Sequence, residues 1–416
     1  MLKLGRIASV LLLLCEPVLA ADWTTWLGPN RDGKSTETGL LTSWPEGGPR
    51  SIWHAKGLGE GYSSMAVVGN RIYTQGQEGD QQFVLALDTA SGKQVWKTPT
   101  GKSFSSDQGG GPRGMPTVDG NRLYALASDG TFVCLDTETG KRLWGFNYIE
   151  KFGSTLPRWG FSEAALIDGD RLIINPGGKG AGIVALNKAS GTVIWQSQDD
   201  RASYSSVLAF DFGGFHIYTV LTASAAIGVD AKDGSLLWRY EKVVNPVANI
   251  ATPVYADGYV FYSSDYDTGC LLLKLTAEGG KVTATEVYSN RDMQNHYTTS
   301  IRVGDYLYGF SGNQPGILVA MEFKTGKVAW KDRSVDKGNC IFAENLLYCQ
   351  GESGKVGLID PSPAGYKEIS RFQFQPAVSD GPFWAPSGHM WTVPVIASGR
   401  LYLRDQDTLY AYDIKR

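Results

Sequence analysis

Short runs of alternating apolar and polar residues, each broken by a turn pair, follow one another along most of this chain. MAVVGNRIYTQ, PTVDGNRLYAL, ALIDGDRLIIN, PVYADGYVFYS, SIRVGDYLYGF and PVIASGRLYLR set apolar or alternating segments on both sides of Gly-Asn, Asp-Gly, Gly-Asp or Ser-Gly. This pattern predicts tight antiparallel hairpins. A second signal follows the first: LALDTASGKQVW, VCLDTETGKRLW, VALNKASGTVIW, IGVDAKDGSLLW and VAMEFKTGKVAW. In each, an acidic or amide residue (Asp88, Asp136, Asn187, Asp230, Glu322) stands eight positions before a tryptophan (Trp96, Trp144, Trp195, Trp238, Trp330). At a strand end Asp or Asn accepts hydrogen bonds from the turn that follows, Gly supplies positive φ, and the chain returns antiparallel. The tryptophan on the return strand offers a flat apolar face for packing one unit on the next.

Two hairpins per unit make four antiparallel strands. The unit recurs at the separation of Trp53 from Trp96, or of Trp144 from Trp195, which is the spacing of propeller blades. Inner turns near Gly69, Gly120, Gly169, Gly213, Gly258, Gly304, Glu344 and Gly399 count eight blades. Two are degenerate: LLLKLTAEGGKVTATEV lacks the tryptophan, and VGLIDPSPAGYKEISRF uses Phe372 in its place. The eighth ends at LYAYDIKR with no outer strand left, so Ser51-Ile52-Trp53-His54 is predicted to complete it and close the ring. The expectation is an all-β, eight-bladed β-propeller of four-stranded antiparallel blades over residues 51–416, preceded by an N-terminal extension at 21–50.

Length alone would allow two or three domains in 416 residues, but the repeat makes one architecture of them. A net charge of −3 with scattered Lys and Arg leaves no electrostatic footprint for nucleic acid. Lys3 and Arg6 precede the apolar run Ile7 to Leu14, and Val18-Leu19-Ala20 offers a cleavage site, so residues 1–20 read as a secretory signal peptide. That run is far short of the ~20 residues a membrane span needs. The mature protein is therefore expected in the periplasm or outside the cell. Cys15 makes a poor lipid-anchor site, because Leu14 stands where a lipoprotein signal needs a small residue. Cys340 and Cys349 flank a hairpin turning at Glu344-Asn345 and would face each other; a cross-strand disulfide and two buried thiols both stay open. Cys134 and Cys270 read as core residues.

The D-x-x-T-G-K-x-x-W pattern at Asp88, Asp136, Asn187, Asp230 and Glu322 resembles the repeat of pyrroloquinoline-quinone-like (PQQ-like) β-propellers, over residues 51 to 416. The resemblance implies the fold; for function it brackets two alternatives. One is the quinoprotein dehydrogenases, whose quinone sits in the central funnel with calcium. The other is the outer-membrane β-barrel assembly lipoprotein, a non-catalytic scaffold of similar length. DWTTWLGPNRDG, PRWGFSEAALIDGDR and LYLRDQDTLYAYD look like a large group of exported bacterial proteins carrying this propeller. The chain lacks the adjacent cysteine pair of many dehydrogenases and is too short for their insertions; it also lacks a convincing lipidation cysteine.

Propeller ligands generally meet the funnel where inner strands begin. Those stretches contribute Tyr62, Arg113, Arg158, Trp159, Glu163, Tyr204, Asn249, His296, Tyr297, Lys337 and Trp391. Cations beside aromatic platforms could hold a carboxylate, a sugar or a flat quinone, whereas the plainer reading is a water-filled channel rimmed by polar strand ends. Glu163 is the candidate general base or metal ligand, with Arg113 or Arg158 as the expected partner; a structural ion pair is the competing role. The histidines at 54, 216, 296 and 389 show no zinc-ligand spacing. Asp265-Tyr266-Asp267 and Asp405-Gln406-Asp407 lack the remaining ligands of calcium loops and read as turns. Gly177 to Gly182 reads as a hairpin loop, since it lacks the Lys-Ser/Thr of a phosphate loop; nothing marks Ser63 or Ser205 as a nucleophile. The favoured expectation is an exported, non-catalytic binding or scaffolding module for a protein or glycan, peripherally associated with a cell-envelope complex. The alternative is a dehydrogenase of alcohols or sugars that uses PQQ and calcium.

Overall fold

In the second blade the repeat folds as its residue types dictate. Asp136 ends the strand Thr131–Asp136, and its carboxylate accepts hydrogen bonds from the Thr139 backbone N–H (2.9 Å) and hydroxyl (2.6 Å). Gly140 takes φ 70° and returns its N–H to the Asp136 carbonyl at 2.9 Å. The same glycine meets the neighbouring blade: a Cβ there would lie 2.7 Å from the indole of Trp96, whose Nε1 donates to the Thr137 carbonyl at 3.0 Å. Trp96 thus seals one blade to the next by an apolar face and one hydrogen bond. Trp53 does so at Thr89 (3.0 Å), Trp195 at Ala231 (3.1 Å) and Trp330 at Ser362 (2.8 Å), while Trp144 covers Gly191 by its ring face alone. The fifth blade, which has no such tryptophan, uses Tyr288: its hydroxyl donates to Phe323 at 2.8 Å and its ring covers Gly326. Phe372 of the seventh blade packs 5.5 Å from Tyr412 of the eighth.

This computed structural model describes residues 21–313, 315–374 and 390–416; the leader read at 1–20, Cys15 included, and His389 lie outside the described residues. Eight four-stranded antiparallel sheets form the ring. Seven contain four consecutive strands. The eighth runs Val395–Ala397, Arg400–Asp405, Thr408–Asp413 and then Arg50–Ala55, with Trp53 opposite Ala411 and His54 opposite Tyr410. The N-terminal strand therefore closes the propeller, and the fold is all-β. Cys340 and Cys349 are opposed in register with Cα atoms 4.2 Å apart and are bonded; Cys134 and Cys270 are buried free thiols.

The segment before the closing strand is part of the same body. Trp23 pairs with Val67 of blade 1, the Thr24 carbonyl accepts from Val118 of blade 2, and Arg31 donates to the Ala164 (2.7 Å) and Ala165 (3.0 Å) carbonyls at the start of blade 3. Trp26 Nε1 reaches Thr252 of blade 5 at 2.9 Å. Gly33 and Ser35 exchange backbone hydrogen bonds with Phe342 of blade 7, and the Ser35 hydroxyl donates to Ile396 of blade 8. Inner strands surround the axis, so a stretch of chain this short can bond to them from opposite sides only by crossing the central channel. The backbone stays satisfied because each inner strand offers groups its own hairpin leaves free. A water-filled open channel, the plainer reading of the sequence, is excluded at this level.

Candidate ligand funnel

An antiparallel blade places two kinds of loop on one face of the ring: the segment leading into each inner strand, and the turn joining its second strand to its third. Together these line a cavity of about 530 Å³. Nine of the eleven residues put forward for this site line it: Tyr62, Arg113, Arg158, Trp159, Tyr204, His296, Tyr297, Lys337 and Trp391. The residue Trp26 of the channel-crossing segment also lines it, which makes the pocket a blind funnel.

Glu163 does not reach the cavity, and this corrects the expectation of a funnel carboxylate partnered by Arg113 or Arg158. It points into the seam between blades 2 and 3, where the hydroxyl of Tyr148, which opens the helix Tyr148–Phe152 after blade 2, donates to it at 2.8 Å and the Asn175 N–H of blade 3 donates to its two oxygens at 2.9 and 2.8 Å. Burial pushes its pKa up to about 7 against these bonds and the nearby Arg31 charge. With no route to a ligand, Glu163 serves the packing between the channel segment and blade 3. Asn249 is likewise internal, accepting from the Asn245 N–H and the Ser264 hydroxyl, both at 2.9 Å.

The funnel holds two similar clusters. In one, Asp107 accepts from Trp159 Nε1 and from Arg158, both at 2.8 Å. In the other, Glu352 accepts from Trp391 Nε1 at 2.7 Å and lies 3.4 Å from Lys337 Nζ. The first is open to solvent; the second is buried, with both charged side chains under 10% exposed. Burial lowers the Lys337 pKa, and Glu352 opposes that shift. Trp391 is flanked by Tyr62 (5.2 Å between ring centroids) and Tyr297 (5.4 Å), while the Tyr266 hydroxyl meets His296 Nε2 at 3.0 Å. Arg113 stacks 4.7 Å over Tyr62 and spends its donors on the Gln108, Gly109 and Trp159 carbonyls and on Ser106, so it fixes the loop between blades 1 and 2.

Asp107, Tyr266, Asn313 and Glu352 were not among the residues put forward, and three of them share a cause. Tyr266, Asn313 and Glu352 sit in the turns between second and third strands of blades 5, 6 and 7, which open on the same face as the inner-strand starts. Counting those turns as well would have found them.

The lining does not suit calcium and a quinone. Calcium wants six or more oxygen ligands, whereas the two carboxylates here are spent in separate clusters, and no group of three or more metal-ligating side chains gathers among the described residues. The cations that would meet a quinone's carboxylates are already paired or bonded to backbone.

The sequence pattern of the PQQ_2 family, described as "Outer membrane protein assembly factor BamB", matches residues 39–155 and 154–332. The chain belongs to this family. It is similar to the BamB of Moranella endobia, at 23% identity over 62% of this chain and 67% of that protein. Across the first curated BamB relatives the match spans between half and about two thirds of their length. Among solved structures, BamB from Moraxella catarrhalis superposes with a TM-score of 0.62 at 16% identity, covering 88% of this chain and all of that one. Quinohemoprotein alcohol dehydrogenase from Comamonas testosteroni gives 0.65 at 13% identity, covering 94% of this chain and 80% of that one. At these identities the likeness to both speaks for the propeller alone. No described helix is long and apolar enough to cross a membrane.

Proposed function

We propose that this protein is an exported, non-catalytic binding propeller of the cell envelope, which holds its ligand in the blind funnel and uses the rigid ring as a scaffold. The observation that carries this reading is the composition of the funnel: aromatic walls, two ion pairs, and an Arg113 whose donors are spent on carbonyls and on Ser106. Such a surface offers shape, stacking and hydrogen bonds, as binding pockets do. Its two lining carboxylates, Asp107 and Glu352, are each engaged by an indole N–H and a cation, and Glu163, the carboxylate whose pKa rises to about 7, lies outside the cavity. Membership of a family described as an outer membrane protein assembly factor supports an envelope setting for the scaffold.

The discriminating experiment is incubation with PQQ and calcium, followed by native mass spectrometry and a dye-reduction assay with ethanol and glucose. A binding module keeps the mass of the bare chain and reduces no dye. A stoichiometric quinone adduct with substrate-dependent dye reduction would replace this reading by the dehydrogenase.

A further inference from the structure

We infer that the funnel takes a neutral oligosaccharide, with sugar rings seated against Trp159 and Trp391; this rests on the binding-module reading above. Two tryptophan clusters line the funnel. Each indole N–H is tied to a carboxylate, Trp159 to Asp107 at 2.8 Å and Trp391 to Glu352 at 2.7 Å, so each ring plane is fixed before a ligand arrives. Fixed platforms reduce the ordering cost of binding. The C–H face of a pyranose carries partial positive charge and matches the negative face of an indole.

Charge selects further. Each funnel cation already has partners, Arg158 in Asp107, Lys337 in Glu352 and Arg113 in three carbonyls and Ser106, so an anionic ligand would compete with these bonds, and a cationic one would compete with Arg158 and Lys337 for the carboxylates. A purely apolar ligand would strip water from those groups and return no hydrogen bonds. Sugar hydroxyls both donate and accept, so they add to the paired groups without breaking the pairs. One cluster faces solvent and the other is buried, with Trp26 below, and this arrangement suits a chain inserted end-on. Closure of the channel by Trp26 makes the site a socket for a chain end; a thread passing through the ring has no path.

The test uses the full mature chain with maltotriose, cellotriose and tri-N-acetylchitotriose as probes, and trialanine as the peptide control. Tryptophan fluorescence and calorimetry report binding. At least one sugar is expected to bind with a Kd below about 10 mM, and Trp391→Ala and Trp159→Ala are each expected to weaken it about tenfold or more. Glu352→Gln keeps the indole but loosens its anchor and should weaken binding less; it also serves if Trp391→Ala fails to fold. Failure of all three sugars, or tighter binding of trialanine, overturns the saccharide assignment. Binding that survives both tryptophan variants also overturns it. If the sugars fail while the dye assay stays negative, the binding-module reading stands; a positive dye assay removes both.

Discussion

Glu163 and Arg31 form the most deeply buried opposite charges at the seam between the channel segment and blade 3. The guanidinium is held mainly by the Ala164 and Ala165 carbonyls and the carboxylate by Tyr148 and Asn175, so each has its own partners and they interact through the field. Burial raises the Glu163 pKa from 4.5 to about 7. The native protein therefore keeps a proton that the unfolded chain releases as pH rises through 4.5, and stability from this group is full below that value and falls until pH passes about 7. The swing is on the order of 3 kcal/mol. Glu163→Gln removes it: denaturation at about pH 5 and about pH 8 should show the wild-type protein losing stability that the variant keeps. Parallel losses in the two proteins would mean that Glu163 does not titrate in this interval.

At the scale of elements, the blade is a local object and the closure is not. Asp136, Thr139, Gly140 and Trp144 sit within one hairpin, which is why turn, strand order and blade number were legible from residue types alone. The contact of Trp96 with Gly140 repeats along the chain and shows as a period. Tyr288 was missed because a phenol can replace an indole at this contact, given a hydroxyl that reaches Phe323. The orientation of Glu163 was not legible, because it precedes its strand and no alternation fixes which way a loop residue points. The pairing of Arg50–Ala55 with Thr408–Asp413 joins the two ends of the chain and leaves no open edge between blades 8 and 1. Truncation through His54 removes that strand with the channel segment, and thermal unfolding should lose its single cooperative transition. A truncated protein that melts in the same transition as the intact one would contradict the closure.

For the whole molecule, the decisive element is the stretch from Trp23 to Ser35, read from sequence only as an extension. Its path was hidden because its partners, Val67, Val118, Ala164, Thr252, Phe342 and Ile396, are scattered over most of the sequence and no local pattern marks them. It turns a ring with an axial hole into a propeller with one working face, and the proposed binding function depends on that change. Hydrogen–deuterium exchange measured by peptide mass spectrometry tests it directly. A segment bonded across the channel predicts slow exchange at Trp23, Ser35 and Leu41, whose amides donate to Val67, Phe342 and Ile414, at rates like those of the inner strands. Exchange of these amides at the rate of a free tail, while the blades stay protected, would contradict a closed channel and with it the blind funnel.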